Sequence, residues 1–90
     1  MPYIPVEQRE RLMKSLCSIS EDIGKQCTPG ELNYIVTMIC QSYLKARGKN
    51  YTHINDIIGV LTNVILEFNR RVTANYEQGK IESNGDVYGD

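Results

Sequence analysis

The 90-residue sequence predicts an all-α fold, a three-helix domain built on an antiparallel helix hairpin. Three observations predict it. Apolar residues recur at three- and four-residue steps in three successive stretches, which places them on one face of a helix in each. Thr28-Pro29-Gly30-Glu31 has the residue types of a capping box, with a Thr N-cap, Pro at the first helical position and Glu two further on. Only Gly48-Lys49-Asn50 separates the second and third stretches, so those helices must lie side by side and antiparallel.

Met1 to Pro5 reads as an extended arm, because two prolines keep it out of a helix while Tyr3 and Ile4 are apolar enough to dock. The first helix runs from Val6 to about Lys25 on a stripe of Leu12, Leu16, Ile19 and Ile23, and Ser18, Ser20 and Gly24 weaken its second half. The second spans about 29–47, with Leu32, Ile35, Val36, Ile39, Tyr43 and Leu44 inward and Gly48 as its left-handed C-cap. The third spans about 52–77, with Thr52 as N-cap. Its stripe is Ile54, Ile57, Ile58, Leu61, Val64, Ile65, Phe68, Val72 and Tyr76. Gln78-Gly79-Lys80 should end it, leaving a non-helical tail over 78–90 in which Asn84-Gly85 signals a tight turn. The whole forms one small domain, 1–90, whose modest core should bury about two thirds of the surface the unfolded chain exposes.

The back of the third helix is unusual. Asn55, Gly59, Thr62, Leu66, Asn69 and Thr73 follow at helical spacing and none is charged. A helix facing water normally shows it a charged back. The seam of Asn55, Gly59, Thr62 and Leu66 therefore reads as an interface with another copy of the chain.

Composition excludes several function classes. The net charge of −1 implies no general attraction to DNA or to anionic lipid. Cys17, Cys27 and Cys40 are odd in number and lack paired metal-site spacing, so a disulfide framework or cysteine zinc site is not expected, and Cys17 and Cys40 read as small core hydrophobes. No apolar run is long enough for a membrane span, and the N-terminus lacks a signal-peptide core. The expectation is a protein of a reducing cytoplasm.

No catalytic residue, metal site or cofactor is expected. Glu7 and Glu10 make an ExxE pair of the kind that holds magnesium in helical pyrophosphatases, but no second acidic pair faces them, and they read as a solvated face. His53 is the lone histidine, with Asp56 one turn later, and reads as an exposed first-turn residue. Neither a glycine-flanked serine nor a phosphate-cradling glycine loop is present. Binding chemistry is better served. Arg70 and Arg71 can grip phosphate as a fork, Tyr76 can stack on a base, and Asn84 and Asp86 can read base edges, with Tyr3 and Tyr88 as further rings. The plainer reading keeps the two arginines as solvated charges at a helix end and Tyr76 as core.

MPYI at the start, GELNY at 30–34, INDIIGVL at 54–61, EFNRRV at 67–72, YEQGKI at 76–81 and NGDVY at 84–88 resemble a family of small phage-encoded proteins across nearly the whole chain. That family looks like the phage anti-CBASS sponges. Thr62 and Asn69 depart from its pattern, which has Glu and Tyr there. The resemblance implies a non-enzymatic homotetramer in the host cytoplasm that binds cyclic dinucleotides such as cyclic GMP–AMP and starves the host's abortive-infection signalling. The competing expectation is a protein–protein module, an inhibitor or adaptor docking on a host protein through the third helix and tail.

Overall fold

The computed structural model describes residues 2–89; Met1 and Asp90, the ends of the expected arm and tail, lie outside them. All regular structure among the described residues is helical: α1 (Val6–Gln26), α2 (Pro29–Arg47), α3 (Tyr51–Phe68), a π-helical turn (Asn69–Thr73) and α4 (Ala74–Asn84). The last three follow without a break and make one third helix over 51–84. The three-helix, all-α expectation holds. By contacts the chain divides into two compact units, Met1–Ile57 and Ile58–Asp90.

In the first unit, local devices hold the start of α1, both ends of α2 and the start of α3. The Pro5 carbonyl accepts the Gln8 and Arg9 amides at 3.0 and 3.1 Å and so opens α1, while Arg9 Nε reaches back to the Ile4 carbonyl at 2.7 Å. α1 stays helical through Ser18, Ser20 and Gly24, and ends at Cys27, whose backbone is extended. Two serines and one glycine cost a 21-residue helix too little to break it. The capping box forms in full: the Glu31 amide donates to Thr28 Oγ1 and the Thr28 amide to Glu31 Oε1, both at 3.1 Å. Gly48 closes α2 at φ 100°, its amide bonded to the Leu44 carbonyl at 2.8 Å. Beyond the turn, Tyr43 Oη donates to Asp56 Oδ2 at 3.3 Å, tying the last turns of α2 to the first of α3 in the hairpin.

The cap of α3 differs from expectation. Asn50, not Thr52, receives the first bonds: its side-chain oxygen accepts the His53 amide at 2.9 Å and its carbonyl the Ile54 amide at 3.0 Å. Both residue types cap well, and here the geometry of the short turn selects the earlier one. His53 Nδ1 completes the turn 2.7 Å from the Gly48 carbonyl.

In the second unit the helix continues past the expected stop near Tyr76. Gly79 keeps a helical backbone, and the Ser83 hydroxyl donates to its carbonyl at 3.0 Å. Gly85 is the stop instead, at φ 90° with its amide on the Ile81 carbonyl at 2.8 Å. Asn84-Gly85 is thus a helix end rather than a tight turn in a folded-back tail, and the non-helical tail shortens to the residues after Asn84. A single internal glycine costs about 1 kcal/mol, which does not end a helix whose next turns can still bond.

The expected core is the larger correction. No described residue is buried. Stripe residues remain open: Leu16, Ile39, Ile58, Val64, Ile65 and Phe68 are all exposed, and so is Cys17. α1 and α3 are the most strongly amphipathic of the helices, and these residues of their apolar stripes stand exposed.

The capping box yields a pH dependence. Donation by the Thr28 amide first, and by the Thr28 side chain second, holds the Glu31 carboxyl below its ordinary range. A depressed carboxyl stabilises above the ordinary range and loses that contribution as pH falls through the depressed value. Circular dichroism should show α2 losing helicity in that acidic window, and Glu31→Gln should abolish this step. Thr28→Ala should cost about 1 kcal/mol of helix stability near neutral pH.

Candidate functional site

Six of the seven expected ligand residues lie in the second unit, on the π turn, α4 and the tail; Tyr3 lies in the first. The π turn carries both arginines. Its ring closes from the Ala74 amide to the Asn69 carbonyl, one residue wider than an α-turn. Three side-chain bonds brace it. Thr73 Oγ1 donates to Asn69 Oδ1 at 3.0 Å, the Asn75 amide donates to the Arg71 carbonyl at 2.8 Å, and Arg70 pairs with Glu67 one turn back. The Arg70 side chain is still well exposed at 63%.

Tyr76 stands on α4 with its ring two-thirds exposed and the Lys80 ammonium 5.5 Å from the ring centroid. That contact sets a cation beside an aromatic surface, a combination suited to a base stacked on a ring with a phosphate close to the ammonium. Asn84 is the last residue of α4. Asp86 uses its carboxylate locally, accepting the Tyr88 amide at 2.9 Å, and the Tyr88 ring projects almost fully exposed.

None of the seven lines either of two concavities of the first unit. One, about 430 Å³, is framed by Asp22 and Ile23 of α1 and Tyr34 and Ile35 of α2; the other, about 460 Å³, lies by Met38, Leu44 and Lys49.

The seam is open along its length. Leu66 is 61% exposed, and a Cβ on Gly59 would meet nothing within 4 Å. Thr62 turns its hydroxyl onto its own helix, donating to the Ile58 carbonyl at 2.8 Å, so it offers a neighbour its methyl rather than a hydrogen bond. Asn55 falls in the first unit and the other three in the second.

His53 is occupied with the α2–α3 turn. Among the described residues no three His, Cys, Asp or Glu side chains converge as a metal cage, and no helix is long and apolar enough to cross a membrane. Glu67 and Asn75 were absent from the expected site. The Glu67–Arg70 pair was legible as an acid three residues before a base on one helix. Asn75 was not, because its role depends on the π turn.

A family model described as a domain of unknown function, DUF6899, matches residues 1–87. No curated protein and no solved structure matches the chain.

Glu67→Gln tests the brace on Arg70. Exposed ion pairs contribute about 0.2–1 kcal/mol, so its melting curve should move little. Titration with inorganic phosphate should show tighter binding, since a competing carboxylate has gone.

Proposed function

We propose that this chain, a member of the DUF6899 family over residues 1–87, is a non-enzymatic phage protein that sequesters cyclic dinucleotides. In this reading it acts in the host cytoplasm as a homo-oligomer, a tetramer by the resemblance above, and withdraws messengers such as cyclic GMP–AMP from CBASS signalling. One observation carries the ligand half: two arginines and an exposed, lysine-capped tyrosine occupy a single braced segment of one helix. Guanidinium forks suit phosphates and an exposed ring suits a base, and sequestration asks for no nucleophile or base.

The surface supports the association half. Large apolar side chains stand exposed on α1, α2 and α3, among them Leu16, Ile39, Val64, Ile65 and Phe68. Copies of the chain packed along those faces would cover them.

The same open faces favour a second reading, a module that docks on a host protein. The two readings part on ligand and on mass. Under the first, a cyclic dinucleotide should raise the melting temperature, by about 2.7 kcal/mol of added stability at a hundredfold excess over Kd, and be recovered intact after denaturation. Hydrolysed nucleotide would sink the sponge reading, and a chain that ignores nucleotide but holds a stoichiometric host protein would establish the second. Arg70→Ala with Arg71→Ala should weaken nucleotide binding at least tenfold with helicity unchanged. Leu66→Arg should lower the solution mass while leaving the protomer helical.

A further inference from the structure

The two concavities of the first unit differ in sign. The one between α1 and α2 is lined by Asp22 and Glu31, and the one beside the last turns of α2 by Lys45 and Lys49 with no acid. Met38 and Leu44 give this basic hollow an apolar floor. Its polar groups differ in what they are free to do. The Ser42 hydroxyl is turned onto its own helix, donating to the Met38 carbonyl at 2.8 Å. Among the described residues the side chains of Lys45, Lys49 and Gln41 have no hydrogen-bond or ion-pair partner. Arg47, the other cation of that turn, stands over the Tyr43 ring at 5.4 Å. The hollow therefore offers two unpaired cations and an amide around an apolar floor, which suits an acidic segment carrying apolar side chains.

The chain has such a segment. Past the Gly85 helix stop, Asp86-Val87-Tyr88-Gly89-Asp90 sets two apolar residues between two acids. Val87 and Tyr88 are 91 and 86% exposed, the most open of the large apolar side chains described. We propose that the basic hollow of one copy holds the Asp86–Asp90 segment of a second copy. Lys45 and Lys49 meet the two carboxylates, and the Tyr88 ring rests on Met38 and Leu44. At about 460 Å³ the hollow has the size of sites that enclose small ligands, which leaves room for that ring. The acidic hollow would repel the same segment, so charge chooses between the two. The inference rests on the association half of the proposed function and uses none of the residues that carry its ligand half.

The test exchanges the charges in two full-length chains. One carries Lys45→Glu with Lys49→Glu, the other Asp86→Lys with Asp90→Lys. Each alone should have a lower solution mass than wild type, and mixing them in equal amounts should restore it, since each then supplies the sign the other lacks. Circular dichroism should show both helical. The tail exchange falls beyond the helix stop and so tests the contact apart from the stability of α2. Tail variants that keep the wild-type mass, or a mixture that stays dissociated, overturn this inference while leaving self-association intact. A wild-type chain of 10.3 kDa overturns the association reading itself, and this inference with it.

Discussion

The fold depends on how its helices' apolar faces are covered. Burial of apolar surface contributes roughly 25 cal/mol per Å² and is the main force opposing chain entropy. No described residue is fully buried: Ile19, Ile35, Leu44 and Ile57 of the stripes are half-buried, and Leu16, Ile39, Val64 and Phe68 are exposed. Helices of this length are marginal in water when left alone, since most helical stability in proteins comes from packing an amphipathic face.

What the single chain does have is a set of local bonds at the points where its backbone changes course. Thr28 and Glu31 satisfy two amides at the start of α2; Gly48, Asn50 and His53 form the turn into α3; Gly85 and Asp86 close the C-terminal end. Each is made by residues within five positions of one another, so each forms without help from the rest of the molecule. They set where helices begin and end. They cannot set which faces meet.

The π turn belongs to both levels. It is local in its bonds and long-ranged in its effect, because the phase of everything beyond it depends on it.

Much was legible in the residues. Helix class, the capping box, the Gly48 stop and the three-residue connection follow from side-chain chemistry acting over three or four positions, and the structure has them at or within a residue of the expected places. The end of the third helix was misjudged because Gly79 and Gly85 carry the same local signal, and only the bonds of Ser83 and Ile81 decide between them. Arg70, Arg71 and Tyr76 could be named from the sequence, but their directions could not, since periodicity assumes an unbroken α-helix and the π turn breaks it. Residue chemistry by itself thus determined three helices, the capping box of α2 and a binding-type inventory. Only the structure decided that Asn50 opens the third helix and Gly85 stops it, because neighbouring residues carry the same local signal and the bonds actually formed choose among them.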